Sequence, residues 1–486
     1  MKILHLSMEC YPAAKAGGLG DVVGALPKYQ NRLGNEAMVL MPKYLSTWIS
    51  KVKTELVFEG QFVQYGQWKS FSVEKVLNEG LGFDLFLLDL RGYFDREGIY
   101  IHPQTGLGFE DEPERNVAFQ KAALRWVSSW ETLPDLMHCH DHHTSLVPFF
   151  MNETHEYGHL RRIPTVLTIH NGMYQGGIGW EKIGVMPAFH PDRAGLLEWN
   201  QHINSLACGV KCAWRVTTVS PGYMNELAQE SRGMEMLYRM EWRKCIGLLN
   251  GIDNEVWNPE TDTHLVVNYS GDIEYYKEAN KRYIASTYGL NGDLPLFAFI
   301  GRFAHEKGAD LLPQIISLAL ESKMAASFFV LGSGDVSVQN EIAELSAKYP
   351  GRFAYEFAYN EPLSRKIYAG SDFLLMPSRV EPCGLNQLYA FRYGTLPMVH
   401  AVGGLRDTVL DIRSNPSSGN GFWFKQLSSE EILASLQAAI DLYKNHSAYI
   451  ERIQQNQLLD HSWETATEAY TKLYKEITLQ KDAIHA

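Results

Sequence analysis

Ile3-Leu4-His5-Leu6-Ser7, Lys15-Ala16-Gly17-Gly18-Leu19-Gly20-Asp21, Val22 to Leu33 and Met38-Val39-Leu40-Met41-Pro42 follow one another at the start of the chain. This opening decides the fold. The first stretch is a short apolar strand, the second a Gly-rich loop. The third carries apolar residues at helical spacing and ends near Gly34, and the fourth is another short apolar strand. The β–loop–α–β order recurs. Thr165-Val166-Leu167-Thr168-Ile169 and Arg215-Val216-Thr217-Thr218-Val219-Ser220 are β-branched runs of strand length, each ending in a polar or Gly/Pro loop. Short apolar strands alternating with helices predict a parallel sheet covered on both faces.

A second series begins near residue 295. Pro295 to Ile300 leads to Gly301-Arg302, Ser327 to Leu331 to Gly332-Ser333-Gly334, and Phe373 to Met376 to Pro377-Ser378. Residues 246–270 lie between the series and are dense in turn residues, including Asn250-Gly251-Ile252-Asp253 and Trp257-Asn258-Pro259-Glu260. The reading is an α/β protein of two doubly wound, Rossmann-like domains, residues 1–248 and 249–462. Trp463 to Leu479 forms a final helix within 463–486. Gly17-Gly18-Leu19-Gly20-Asp21-Val22-Val23 and Gly403-Gly404-Leu405-Arg406-Asp407-Thr408-Val409 share the pattern G-G-L-x-D-x-V, one strand-to-helix device used twice.

The 486 residues are 45% hydrophobic, which excludes wholesale disorder. Lys and Arg number 44 against 56 Asp and Glu, a formal net charge of −12 that disfavours a nucleic-acid partner. A small anion needs only a few local cations. No apolar run approaches the ~18 residues of a membrane span, and no signal-peptide pattern opens the chain. Six scattered cysteines are too few for a disulfide scaffold. The expectation is a soluble, cytoplasmic protein with reduced thiols.

In doubly wound folds ligands sit beyond the carboxyl ends of strands, where helix N-termini attract anions. Four places have that context: Lys15 with Gly17 and Gly18; Arg302 with Lys307; Cys383-Gly384-Leu385; and Gly403-Gly404. Together they suit a diphosphate, which needs cations and directed N–H groups. The opening Gly-rich loop is not G-x-G-x-x-G, there is no G-x-x-x-x-G-K-[ST], and no D-x-D pair occurs. A nucleotide-sugar site without a metal is expected, the cations neutralising the leaving group. His138-Cys139-His140-Asp141-His142-His143 has zinc-like spacing, since His138, His140 and His142 share one face of a strand. No distant partner motif accompanies it, and hydrogen bonding of a polar ligand by Asp141 and the histidines is the alternative. Cys208 and Cys212 read as core residues.

These motifs converge. The sequence resembles the bacterial glycogen synthases and plant starch synthases, retaining glucosyltransferases of the GT-B fold. The stretches that carry the resemblance run in the family's order from Lys15-Ala16-Gly17-Gly18-Leu19-Gly20-Asp21-Val22 through His140-Asp141, Thr168-Ile169-His170-Asn171, Val219-Ser220-Pro221, Leu249-Asn250-Gly251-Ile252-Asp253 and Arg302 with Lys307-Gly308. Ser378-Arg379-Val380-Glu381-Pro382-Cys383-Gly384-Leu385, Tyr393-Gly394-Thr395-Leu396-Pro397 and Gly403-Gly404-Leu405-Arg406-Asp407 complete them.

The resemblance implies two domains facing a deep cleft, acceptor side first and donor side second, with the last helix packing back on the first domain. It implies that Lys15, Gly17, Gly18 and Asp21 lie near the donor diphosphate and glucose, and that Arg302 and Lys307 hold the phosphates. Glu381 is then the carboxylate at the reacting glucose, and Cys383, Gly384 and Leu385 orient glucose and phosphate through backbone N–H groups. His170 presents its main-chain carbonyl to the anomeric carbon, Asp141, Asn171 and Asn250 line the glucose or acceptor side, and Tyr359 stacks on the nucleobase. It further implies ADP-glucose as donor in preference to UDP-glucose, an α-1,4-glucan acceptor, no cofactor and no metal. A chain opening directly on its first strand matches the bacterial cytoplasmic branch. Four positions depart from the family's pattern: Phe94 where Tyr is usual, His142 where Trp is usual, Ala207 where Lys is common, and Asn386 where Thr is usual. Two readings stand beside the main one: a GT-B transferase using UDP-glucose or making another sugar product, and a glucan-binding relative without catalysis.

Overall fold

The opening motif folds as a strand at Lys2–Leu6, a helix at Gly18–Arg32 and a strand at Glu36–Pro42. The computed structural model describes residues 1–77, 80–358 and 360–485. Two units emerge. One comprises Met1–Val219, Met224–Leu248 and Trp463–Ala486, the other Ser220–Tyr223 and Leu249–Ser462.

Within the first unit, a nine-stranded sheet runs in the order Cys245–Gly247, Arg215–Thr218, Thr165–Ile169, Leu136–His140, Lys2–Leu6, Glu36–Pro42, Asp84–Asp89, Gln67–Val76, Thr54–Gln64. The first seven are parallel, and the last two add an antiparallel edge. That hairpin turns at Tyr65 and Gly66, both at positive φ (49° and 72°), the geometry of a tight hairpin turn. The long C-terminal helix, Trp463–His485, buries Trp463, Tyr470, Tyr474 and Ile477 at helical spacing. They pack with Val22, Leu26 and Tyr29, which form the matching stripe on Gly18–Arg32.

The second unit has an all-parallel six-stranded sheet ordered Phe353–Glu356, Ser327–Leu331, Leu296–Ile300, Phe373–Met376, Leu396–His400, Phe422–Phe424. This is the 3-2-1-4-5-6 order of dinucleotide-binding folds. Its strands are predominantly apolar, as expected of a parallel sheet covered by helices on both faces. Phe297 stacks between Phe328 and Phe373, with ring centroids 5.5 and 4.7 Å away. The turn-rich stretch after Leu249 belongs to this unit. Arg365 and Tyr393 clamp the buried Asp262 at 3.1 and 2.6 Å, and Trp257 stacks on Tyr389 at 3.7 Å.

Among the described residues no helix is long and apolar enough to cross a membrane. All six cysteines are free. Cys208 is buried and Cys212 half-buried.

Candidate active site

The strand order creates a switch point in each unit, and the sequence-expected residues follow those strands. In the second unit, Leu296–Ile300 and Phe373–Met376 are neighbours whose chains then leave in opposite directions along the sheet. After the first come Gly301-Arg302 and Lys307; after the second comes Pro377 to Glu381. Lys307 Nζ donates to both Glu381 oxygens at 2.8 and 2.7 Å, and Ser378 Oγ donates to Oε2 at 3.0 Å. Glu381 is 6% exposed, so this carboxylate is buried but fully engaged. Gly308, at φ +67°, lets the Lys307 turn pass against the Pro377 carbonyl. Arg379 reinforces the approach with two bonds to Asp310 at 2.7 and 2.8 Å. Arg302 is exposed and pairs with Glu306 at 2.9 Å.

Gly384 takes φ +74° and turns the chain into the helix Asn386–Arg392, which has no side-chain cap at Leu385. Gln387 Nε2 donates to the carbonyls of Cys383 and Gly384 at 3.1 and 2.9 Å, shaping that turn from below. The Cys383 thiol is buried, and burial pushes it up to about 12, so it is no thiolate nucleophile at neutral pH. Asn250 is also buried, and its Oδ1 has no hydrogen-bond partner among the described residues. Gly404 N–H donates to the Glu381 carbonyl at 3.1 Å, and a Cβ on Gly404 would lie 2.1 Å from the Cys383 carbonyl oxygen. The second G-G-L-x-D phrase thus packs directly under the Glu381–Cys383 turn.

In the first unit Lys2–Leu6 is the switch strand, with Glu36–Pro42 on one side and Leu136–His140 on the other. The helix after it starts at Gly18 with no side-chain cap, and nothing lies within 4 Å of where a Cβ of Gly17 or Gly18 would stand. Glu9, 2% exposed, holds the loop: its Oε2 accepts from the Ala16 and Gly17 amides at 2.5 and 2.9 Å, and its Oε1 from Tyr100 Oη at 2.6 Å. Lys15 is paired with Asp21 at 2.7 Å. Asp141 ends its strand at φ +57°, and Oδ1 accepts from the His170 and Asn171 amides at 2.7 and 3.3 Å. Two strand-end turns are thereby joined by one carboxylate.

The model of the family described as "Starch synthase catalytic domain" matches residues 2–240, and that of "Glycosyl transferases group 1" matches residues 280–456. A glycogen synthase of Flavobacterium johnsoniae is 44% identical over 484 residues, covering 99% of this chain and all of the relative. The chain belongs to the glycogen synthase and starch synthase family. A Streptococcus mutans glycogen synthase is 36% identical over 98% of this chain and all of the relative. The catalytic domain of starch synthase IV from Arabidopsis thaliana, solved bound to ADP and acarbose, superposes with a TM-score of 0.87 at 28% identity, covering 98% of this chain and 99% of that one. Sucrose-phosphate synthase from Thermosynechococcus elongatus has a TM-score of 0.61 at 15% identity over 98% of this chain and 99% of its own, which is likeness of fold alone. The fold is GT-B and the synthase is a glucosyltransferase.

The four departures from the family pattern have local accounts in this synthase. Phe94 is fully buried, edge-on to Tyr44 and Phe119. Ala207 is buried, and its amide donates to the capping Asn204 Oδ1 at 2.9 Å. Asn386 Nδ2 donates to the Ile300 carbonyl at 2.8 Å, tying the helix start to the end of the central strand. His142 bonds Glu112 Oε1 at 3.0 Å. That last contact corrects the expectation that His138, His140 and His142 share a face. The strand ends at His140 and Asp141 turns at positive φ, so His142 leaves the alternation; His5 takes the third place beside His138 and His140. Tyr359 lies outside the described residues.

The sequence assigns no role to Glu9, Ser378 or Gln387, although Ser378 opens the phrase that carries Glu381. Ser378 was the accessible one, three residues before Glu381 in the same specific phrase. Glu9 and Gln387 act on backbone groups, and no residue pattern announces that. Glu9→Gln keeps the shape but replaces one charge-assisted acceptor by a neutral amide. On the reading proposed below, in which this loop lies at the donor, the substitution should weaken donor binding by about tenfold through loosening of Ala16-Gly17, at ~1.4 kcal/mol per tenfold, which donor titration of the variant measures. Unchanged affinity would show that the loop holds without the carboxylate.

Proposed function

We propose that this synthase transfers glucose with retention from ADP-glucose to the non-reducing end of an α-1,4-glucan, acting in the cytoplasm without a metal or cofactor. The observation that carries the reading is the Lys307–Glu381 pair, held by Ser378 at the switch point beside the Gly384 turn. Glycosyl transfer passes through an oxocarbenium-like sugar as a diphosphate departs. The departing diphosphate gains negative charge, which Lys307 and Arg302 are suited to neutralise in place of a metal. Glu381 is suited to the positive charge growing on the sugar while it also keeps Lys307 in place. Lys15 and the Gly17-Gly18 turn would lie near the donor diphosphate and glucose, with Asp21 paired to Lys15. Cys383, Gly384 and Leu385 would offer backbone N–H groups to glucose and phosphate. His170 would set its carbonyl beside the anomeric carbon, with Asp141, Asn171 and Asn250 near the glucose or acceptor.

With retention, the acceptor 4-hydroxyl attacks the face that the diphosphate leaves. The new glycosidic bond forms as the anomeric C–O bond breaks, and a departing diphosphate oxygen takes the hydroxyl proton. No protein nucleophile is needed, which accords with a Cys383 thiol that stays protonated. The ADP complex of the Arabidopsis relative supports an adenine nucleotide donor here.

Purified protein incubated with glycogen should lengthen it with ADP-glucose, several-fold faster than with UDP-glucose, and EDTA should leave the rate unchanged. Equal or faster transfer from UDP-glucose would overturn the donor assignment. Glycogen binding without transfer from either donor would overturn the enzyme reading in favour of a binding protein, and loss of activity in EDTA would overturn the metal-free one.

A further inference from the structure

A continuous run of buried polar side chains crosses the first unit. His170 Nε2 meets His140 Nδ1 at 3.0 Å, His140 Nε2 meets His5 Nδ1 at 3.0 Å, and His5 Nε2 meets Gln30 Oε1 at 2.8 Å. Gln30 Nε2 then donates to Tyr474 Oη at 3.2 Å. Tyr474 Oη lies 2.6 Å from His138 Nδ1, whose Nε2 lies 2.6 Å from Thr168 Oγ1, which in turn lies 2.6 Å from Thr217 Oγ1. His5, Gln30, His138, His140, Thr168, Thr217 and Tyr474 are all fully buried. The imidazoles of His138 and His140 stack at 4.2 Å, and those of His5 and His140 at 5.4 Å.

Gln30 gives the run a direction. Its Oε1 can only accept, so His5 Nε2 carries a hydrogen. A neutral His5 then accepts at Nδ1, which requires a hydrogen on His140 Nε2. His140 in turn accepts at Nδ1, which requires a hydrogen on His170 Nε2 and leaves His170 Nδ1 bare. On the other side Gln30 Nε2 donates to Tyr474 Oη, so the Tyr474 hydroxyl hydrogen goes to His138 Nδ1. His138 Nε2–H then donates to Thr168 Oγ1, which shares a further hydrogen bond with Thr217 Oγ1. Each link meets one donor with one acceptor, and a single amide orients both arms. Burial keeps the rings neutral: His5 is pushed down to about 4, His138 and His140 well below the ordinary histidine range, and His170 also downward. His5, His138 and His140 are close enough to suggest a metal cage. All six of their ring nitrogens, however, already have hydrogen-bond partners in this run.

We propose that Gln30 is a positioning residue: through His5 and His140 it fixes His170 as the Nε2–H tautomer in one ring orientation, at the turn where Asp141 gathers the His170 and Asn171 amides. The consequence for catalysis rests on the transferase reading above; the tautomer itself does not. No motif contains Gln30, which is buried near the C-terminal end of the first helix.

The test is nitrogen-15 correlation spectroscopy of the full chain labelled in its histidine rings, with His170 assigned by a His170→Asn sample. Wild type should show a protonated Nε2 and a bare Nδ1 at His170 across neutral pH. Gln30→Leu should turn that signal into a mixture of tautomers and lower kcat by about tenfold or more, with KM for ADP-glucose and glycogen within about twofold of wild type. Gln30→Met is the second variant, should Leu prevent folding, and the wild-type spectrum needs neither. A protonated Nδ1 in wild type would overturn the proposal. So would an unchanged tautomer in the variants, or a mixed tautomer with kcat intact. A wild type that transfers no glucose would instead sink the transferase reading and leave the tautomer measurement standing.

Discussion

Lys307→Ala is expected to lower kcat by about 10²–10³-fold, the usual cost of removing one preorganised group that stabilises transition-state charge. Lys307 Nζ reaches both Glu381 oxygens, so the substitution does two things at once. On the proposed mechanism it deletes a cation for the departing diphosphate, and it removes the charged partner of a carboxylate whose remaining side-chain partner among the described residues is Ser378 on Oε2. Breaking a buried pair by removing one partner costs ~3–5 kcal/mol of stability. The Lys307 side chain is 29% exposed, so water screens the pair and the loss should fall below that range. The protein should therefore stay folded while turnover collapses. Lys307→Arg should recover only part of the rate, because a planar guanidinium cannot place one point charge between the same two oxygens. Glu381→Ala should be as damaging as Lys307→Ala. Steady-state kinetics with ADP-glucose and glycogen decide the matter: a kcat within about threefold of wild type, under ~1 kcal/mol of barrier, would remove both residues from the reaction.

Gly308→Ala should be the most destabilising small substitution in the second unit. Gly308 sits at φ +67°, where a side chain costs ~1–2 kcal/mol. Its Cβ would also stand 2.0 Å from the Pro377 carbonyl oxygen, a backbone atom that no rotamer change can move. Strain and overlap together should exceed about 3 kcal/mol. For a unit of this size that corresponds to a fall in Tm of about 6–12 °C. Because the obstacle is the chain leading to Glu381, any folded fraction should also transfer glucose slowly. Calorimetry would show the shift, and an unchanged Tm would mean that Pro377 can retreat at little cost. Gly404→Ala, whose Cβ would stand 2.1 Å from the Cys383 carbonyl oxygen, should destabilise by overlap alone and so by less.

Much of this was legible along the chain. The strand Thr165–Ile169 has the bounds its β-branched run marks, and Ser327–Leu331 and Phe373–Met376 do the same in the second series. Buried parallel strands must be apolar on both faces, so they stand out as continuous runs. The antiparallel edge Thr54–Gln64 and Gln67–Val76 did not stand out. One face is solvated, its residues alternate irregularly, and Tyr65-Gly66 is not one of the strong hairpin signals. The last helix runs past Leu479 to His485, because helix ends depend on capping contacts more than on periodicity.

By itself the sequence determined two Rossmann-like units, the strand ends that bear Lys15, His170, Arg302, Lys307 and Glu381, and the synthase phrases around them. These are local facts: apolar period, glycine at turns, and charge next to glycine. Only the tertiary structure decided which of those groups meet. Lys307 and Glu381 are 74 residues apart and form a pair at 2.7 Å. His5, Gln30, His140 and Tyr474 come from two strands, the first helix and the last helix, and they join into one oriented run ending at His170. The physical reason is that hydrogen-bond polarity and ion pairing act through space at about 3 Å. A linear pattern records the spacing of residues along one element, not which elements the core presses together.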